Sequence, residues 1–377
     1  MLDRRILCEA RRLVIKVGTR VCIRPDGLLN GEVLLSLARQ VHRLRREGRE
    51  VVLVSSGAVG MGRALMRGNS IEETLPTKQA LAALGQVELV NAYKQLFGLL
   101  HIPVAQVLLT RDDLGARDRY LNARNTLHTL LAMDVLPVVN ENDSVATQEI
   151  RFGDNDSLAA MVGALLDASA VINLTSVPGI LVPDPQNPGQ DRVLDMVRRI
   201  SPEVEALDRG TLSTGGTGGL TSKLEAARIA TRYGAAMVMA EAAAEDILLR
   251  LVAGEKVGTF FAPGSVHLRG RKRWLAMGAR TRGMLHVDAG AARALLAQGR
   301  SLLPVGITRV EGRFKVGDLV GVCDPEGREI GRGLTNYASE DILRLKGLPT
   351  SRISEVLGHP GYPEIIHRDN LAASESP

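Results

Sequence analysis

Asn140, Glu141, Asn142 and Asp143 form one cluster of short carboxylate and carboxamide side chains, and Asp154, Asn155 and Asp156 form a second. Groups of this kind can hold a zwitterion. Carboxylates bind an ammonium, while amides and a hydroxyl such as Ser56 bind a carboxylate, so Asn140, Asp143, Asp154 and Asn155 suit an amino acid better than a sugar. Two lysines, Lys16 and Lys223, come from opposite ends of the same region and sit at strand or loop ends that an alternating fold would bring together. Phosphoryl transfer needs positive charge around the moving group and little covalent chemistry from the protein. A carboxylate between the two lysines, Asp156, would hold their ammonium groups in place. Asn, Asp and Gly also mark ordinary turns. Two such clusters in succession, one closing an apolar run and one opening another, read instead as a ligand site at strand carboxyl ends.

The elements that must carry these residues follow from apolar periodicity. Residues 13–15, 51–54, 104–109, 134–139, 170–174 and 235–240 read as buried strands. Between them, residues 32–46, 77–100, 120–133, the stretch from Ser157 and the stretch from Leu220 read as helices, with a shorter one over 204–207. Residues 183–190 read as a proline-rich loop. Lys16 follows the first strand beside Gly18. Residues 55–58 form a small-residue turn that lets a ligand approach the backbone. The segment GTLSTGGTGG, residues 210–219, leads into Lys223 and a helix; glycine-rich turns of this kind leave backbone N–H groups free for phosphate oxygens. Its spacing is not that of a Walker A loop, and the GxG at Gly60 and Gly62 lacks the third glycine of a dinucleotide fingerprint.

Alternation of strand and helix predicts an α/β fold, a mostly parallel sheet sandwiched between helices. Past about residue 262 the pattern changes. A basic, irregular stretch is read as a linker, and short alternating segments at 307–310, 318–322 and 329–333, with a turn at 324–327, predict a small β-rich domain. The expected division is 1–262, a linker over 263–280, a second domain over 281–360 and a tail over 361–377.

Composition narrows the function classes. Aromatic residues are only 3% of the 377, which argues against stacking platforms for single-stranded nucleic acid, and a net charge of +5 spread along the chain does not call for a polyanion. Cys8, Cys22 and Cys323 are widely spaced, as expected of reduced thiols in a cytoplasmic protein without a metal site. The first residues lack the apolar core of a signal peptide, and no run is long enough to span a bilayer.

These residues carry a close resemblance to a known family. VIKVGT at Lys16, VSSGAVG at Ser56, LLTRDD at Arg111, YLNARNTL at Arg124, VNENDSVAT at Asp143, FGDNDSLAA at Asn155 and GTGGLTSK at Lys223 resemble the glutamate 5-kinases of the amino acid kinase fold. SLLPVGITRVEGRFKVGDLV and GLTNYASEDI resemble their C-terminal PUA domain, a β-rich barrel. The resemblance covers nearly the whole chain. NEND followed by GDND sets this family apart from aspartate, acetylglutamate, carbamate and uridylate kinases.

The resemblance implies ATP-dependent phosphorylation of the side-chain carboxylate of L-glutamate, the first step of proline biosynthesis. It places glutamate on Ser56, Asp143 and Asn155, with Asn140 and Asp154 nearby. It places the nucleotide on Lys16, Thr175, Ser176 and the run Thr217, Gly218, Gly219, Leu220, Thr221, Ser222 and Lys223. Lys16 and Lys223 would stabilise the transferring phosphoryl group and Asp156 would organise them. Mg2+ would come with the nucleotide. Proline as feedback inhibitor, a homo-oligomer, and handover of a labile acyl phosphate to the following reductase, glutamate-5-semialdehyde dehydrogenase, are also implied. Two departures fall on the nucleotide side: Arg20 where the family has a small hydroxyl residue, and Ser176 where it has an acid. A kinase of the same fold acting on another small acid, and an RNA-binding PUA protein, are the competing readings.

Overall fold

The computed structural model describes residues 4–24, 26–66, 72–146, 155–187, 189–207, 219–264 and 281–373. The chain divides into two compact units at residues 265 and 266. Asp154, Thr217, Gly218 and most of the expected linker lie outside the described residues.

The first unit alternates strands and helices. In order these are Arg5–Glu9 (α1), Arg12–Val17 (β1), Thr19–Cys22 (α2), Gly31–Arg46 (α3), Glu50–Ser55 (β2), Ala58–Leu65 (α4), Leu75–Gly98 (α5) and Val104–Leu109 (β3). Next come Arg111–Gly115 (α6), Arg117–Ala132 (α7), Leu136–Glu141 (β4), Asn155–Leu165 (α8), Ala170–Thr175 (β5), Leu181–Pro183 (β6), Asp191–Val193 (β7) and Met196–Val197 (β8). Pro202–Glu205 (α9), Leu220–Arg232 (α10), Ala236–Glu241 (β9), Ile247–Val252 (α11) and Thr259–Phe261 (β10) complete it.

Eight strands form one sheet in the order β3-β4-β2-β1-β5-β9-β10-β8. Its pairings from β3 through β9 are parallel, and β10 runs antiparallel to β9. The Val- and Leu-rich strands are buried along nearly their whole length, as a sheet covered on both faces requires. Residues 183–190, read as a loop, span the tip of a separate hairpin made by β6 and β7.

Strand alternation sorts the two faces. Leu13, Ile15 and Val17 of β1 join one core cluster with Leu34, Leu37 and Val41 of α3 and Leu89, Tyr93 and Phe97 of α5. Lys16 points the other way, toward α8. All eleven residues of α8 are buried, so this helix is a fixed mount inside the unit and not a surface element.

Helices α4 and α5 cross at glycine. A Cβ on Gly85 would collide with the carbonyl oxygen of Ala58 and the nitrogen of Gly62, and one on Gly62 with the carbonyl of Leu81. These are backbone atoms, which no rotamer change can move aside. Gly85→Ala is therefore expected to cost about 1–3 kcal/mol through overpacking, visible as a lowered midpoint in thermal unfolding; an unchanged midpoint would show that the helices separate freely.

The second unit holds a five-stranded sheet: Gly283–Val287 (β11), Ile307–Gly312 (β12), Leu319–Cys323 (β13), Glu329–Leu334 (β14) and Leu371–Ala373 (β15), in the order β12-β11-β13-β14-β15. A helix over Ala289–Gln298, which the period-2 reading did not foresee, packs Ala292 and Leu295 into its core. Residues read as a tail are part of this unit: Ile365 and Ile366 are fully buried, and β15 pairs with β14.

Candidate active site

The sheet register brings the site together at the carboxyl ends of its central strands. Lys16 lies opposite Val54 on one side and Asn173 on the other. Val54 lies opposite Val139, so Ser55 and Asn140 stand side by side at the same edge. The structure departs from expectation in one detail here. Asn140 and Glu141, read as the polar cluster that stops a strand, are the last two residues of β4 and are buried in it. Likewise Asn155 and Asp156, read as preceding a helix, are the first two residues of α8.

Successive helix residues diverge by about 100°, and that divergence gives Asn155 and Asp156 different neighbours. Asp156 meets both lysines. Its Oδ1 pairs with Lys16 Nζ, and its Oδ2 lies 3.1 Å from Lys223 Nζ. Lys223, on the first turn of α10, also donates to the Gly219 carbonyl at 3.4 Å. The Asp156 side chain is fully buried and the lysine side chains are 8% and 14% exposed. Burial by itself would raise the Asp156 pKa; the charges of Lys16 and Lys223 outweigh it and hold the carboxyl well below the usual carboxylate range. The result is a compact group of two cations and one anion, with net positive charge at the sheet edge.

Asn155 turns to the amide cluster. Its Nδ2, with two hydrogens to give, lies within hydrogen-bonding reach of three acceptors: the Ser55 carbonyl, Ser56 Oγ at 2.9 Å and Asn140 Oδ1 at 2.7 Å. Asn140 Oδ1 also accepts the Glu141 backbone N–H at 2.9 Å, and Asn140 Nδ2 donates to Gln86 Oε1 of α5 at 2.7 Å. Behind this cluster the Ser55 hydroxyl meets Tyr93 Oη at 2.9 Å. Gly57, at φ +110°, makes the turn from β2 into α4, and a Cβ there would press on Ile23. Asp143 sits half-buried after β4, and Ala146, three residues on, is tied to α5 by Gln79 Nε2 donating to its carbonyl at 3.1 Å.

On the other side of Asp156, Thr175 closes β5. Its hydroxyl donates to the Val177 carbonyl at 2.7 Å and accepts the Val177 N–H at 3.1 Å, so it shapes the loop that leaves Ser176 exposed. Ser222 Oγ donates to the Gly219 carbonyl at 3.0 Å, and Leu220 and Thr221 open α10. Arg20 is exposed on α2, just past Gly18.

Sequence reasoning singled out Lys16, Lys223, Asp156, Ser56, Asn140 and Asn155, and the structure places these in two adjoining clusters. It passed over Gln79, Gln86 and Tyr93. One signal for Gln86 existed: Gly85 interrupts a long helix at a cost of about 1 kcal/mol, and a glycine kept there marks a close approach beside which Gln86 must lie.

Among the described residues, no group of three or more His, Cys, Asp or Glu side chains stands together as metal ligands. Asp156 has both oxygens engaged by ammonium groups. This donor set does not fit a metal ion held by the protein itself.

The profile of the amino acid kinase family matches residues 11–240, and that of the PUA domain residues 283–357. A protein named glutamate 5-kinase from Moorella thermoacetica is 46% identical over 365 residues, 97% of each chain. Its namesake from Caldanaerobacter subterraneus subsp. tengcongensis is 44% identical over 364 residues, 97% of this chain and 98% of that one. Among solved structures, a carbamate kinase from Giardia lamblia bound to AMP-PNP aligns at 16% identity and a TM-score of 0.49, covering 68% of this chain and 99% of its own. Relatives that match end to end at such identity, over a sheet of this topology, establish that the chain belongs to the glutamate 5-kinases of the amino acid kinase family, in the form that carries a PUA domain.

Proposed function

We propose that the chain transfers the terminal phosphoryl group of ATP to the side-chain carboxylate of L-glutamate, giving L-glutamyl 5-phosphate as the first step of proline biosynthesis. The observation that carries this is the adjacency of Asn155 and Asp156: one residue belongs to an amide cluster suited to an amino acid, the next to a lysine pair suited to phosphate. A glutamate side chain, with an ordinary pKa of about 4.3, is already ionised at neutral pH. Its oxygen attacks the terminal phosphorus, the bond to the bridging oxygen breaks, and ADP leaves; no proton has to be removed from the acceptor. Asp156 accordingly has no call to act as a base. It holds Lys16 and Lys223 where charge on the transferring group is stabilised.

Ser56, Asn140, Asp143, Asp154 and Asn155 are assigned to glutamate. Lys16, Thr175, Ser176 and residues 217–223 are assigned to the nucleotide. Magnesium would arrive on the nucleotide phosphates and supply charge there; no residue is assigned to it. Inhibition by proline, a homo-oligomeric state and handover to a reductase belong to the same proposal, the last supported by the lability of an acyl phosphate. So does a cytoplasmic setting, consistent with three free cysteines; no helix among the described residues is long and apolar enough to cross a membrane.

Coupled detection of ADP tests the reading. Release is expected with ATP and L-glutamate, and only background with aspartate, N-acetylglutamate or UMP. Equal or better turnover with one of those three would overturn the substrate assignment.

A further inference from the structure

We propose that Gln86 is a positioning residue for the acceptor pocket. Its carboxamide oxygen satisfies and holds the Asn140 amide, Asn140 and the Ser55 carbonyl together hold Asn155, and Asn155 so held presents its carbonyl oxygen to the substrate. The proposal rests on the reading of Asn140 and Asn155 as glutamate-binding groups.

A carboxamide has two nearly isosteric ends, one donating and one accepting. Which end faces a ligand decides whether that ligand is bound as a cation or as an anion. In this cluster the choice is forced from two backbone groups. The Glu141 N–H can only donate, so the Asn140 atom beside it at 2.9 Å is oxygen. The Ser55 carbonyl can only accept, so the Asn155 atom beside it is nitrogen. That nitrogen also donates to Asn140 Oδ1 at 2.7 Å, which agrees with both assignments. Two consequences follow. The oxygen of Asn155 is turned away from Ser55, Ser56 and Asn140, as an acceptor suited to the ammonium group of an amino acid. The nitrogen of Asn140, a residue only 2% exposed, needs an acceptor of its own, and Gln86 Oε1 at 2.7 Å supplies it.

Loss of the Gln86 oxygen would leave that buried nitrogen without its acceptor. Rotating the Asn140 amide by half a turn offers no relief, because Nδ2 would then face the Glu141 N–H and the Asn155 nitrogen, donor against donor. The strain passes to Asn155. Gln86 is also well placed to act as a fixed reference. It follows Gly85, whose backbone packs against Ala58 and Gly62 at the start of α4, directly after Ser56 and Gly57. Gln79, seven residues earlier and so two turns along the same face, donates to the Ala146 carbonyl. One face of α5 thus holds both ends of the segment that carries Asp143.

The test compares steady-state constants and thermal midpoints of Gln86→Leu, Gln86→Glu, Asn140→Ala, Asn155→Ala and the double variant Gln86→Leu/Asn140→Ala. Gln86→Leu is expected to raise the KM for glutamate roughly tenfold, the equivalent of one unsatisfied buried donor, with the KM for ATP changed less than about twofold. Gln86→Glu, which keeps an acceptor oxygen, should recover most of the loss. The double variant should be no worse than Asn140→Ala alone, because residues acting in series are not additive. A wild-type glutamate KM in Gln86→Leu, parallel rises in both KM values with a lowered midpoint, no recovery in Gln86→Glu, or additive losses would each overturn the proposal. If Asn140→Ala and Asn155→Ala also leave the glutamate KM unchanged, the assignment of the pocket falls with it. If those two raise it and Gln86→Leu does not, only the role of Gln86 is lost.

Discussion

Asp156→Asn is expected to lower kcat at saturating ATP and glutamate by about 10²- to 10³-fold, the range seen when a preorganised electrostatic group is removed from a site of developing charge. The substitution is nearly isosteric, so α8 keeps its packing. What changes is charge. Lys16 and Lys223 now face each other across a neutral amide in a site where the central side chain is fully buried. Repulsion spreads them, and they no longer converge on one phosphoryl group. Lys223→Ala should fall by a similar factor, because half of the cationic pair is gone. A variant of either kind with wild-type kcat would remove the residue from the proposed machinery. Stability should change too, by roughly 3–5 kcal/mol for a buried pair that loses one partner. The pH dependence of that difference has a definite sign. The folded-state pKa of Asp156 is depressed, so its contribution is present above the ordinary carboxylate value and is lost only as pH falls toward the folded value. Urea unfolding of wild type and Asp156→Asn should therefore show a constant gap from neutral pH down to about 4 and a narrowing gap in stronger acid.

Arg4→Ala is expected to give the largest loss of stability away from the site, roughly 3 kcal/mol. Arg4 is 6% exposed, and its guanidinium donates to the carbonyls of Glu255, Val257, Asp195 and Gly258 at 2.8–3.1 Å and to Asp195 Oδ1 at 2.8 Å. It also lies over the Phe260 ring, 5.6 Å from its centre. A residue near the start of the chain thereby fastens the approach to β10, which runs antiparallel to β9. Alanine would strand those carbonyls beneath α1. Arg4→Lys keeps the charge and should restore only part of the loss, since one ammonium has three donors where the guanidinium has five. Denaturant midpoints would measure both; equal midpoints for wild type and Arg4→Ala would mean that solvent replaces every bond.

The contrast between these two residues shows what a sequence can disclose. Asp156 was legible because its partners advertise themselves: a strand ending in lysine, a glycine-rich turn ending in lysine, and an acidic helix start are local signals. Arg4 was not, because every acceptor of its guanidinium lies 191 or more positions away and all but the Asp195 carboxylate are backbone carbonyls. Gln86 was hidden for a related reason. An uncharged polar residue on a long helix reads as surface until the strand across from it is known. The strands themselves were easy, being apolar on both faces. Their ends were harder, since Asn140 and Glu141 remain in β4 through bonds made by the Asn140 side chain as well as by their backbones. In the second unit, β15 was missed because a three-residue strand has no period to detect.

The glycine crossing of α4 and α5 sets a limit on how this enzyme can be remodelled. Ser56 lies two residues before α4 and Gln86 follows Gly85 on α5, and the two helices touch backbone to backbone. Screening for acceptance of a longer dicarboxylic acid by enlarging that wall would meet main chain, which mutation of side chains does not move. Under the proposed assignment of Asp143 to glutamate, room for a new acceptor has to be sought along the loop after β4. Libraries restricted to that loop should yield altered specificity far more often than libraries aimed at the helix pair.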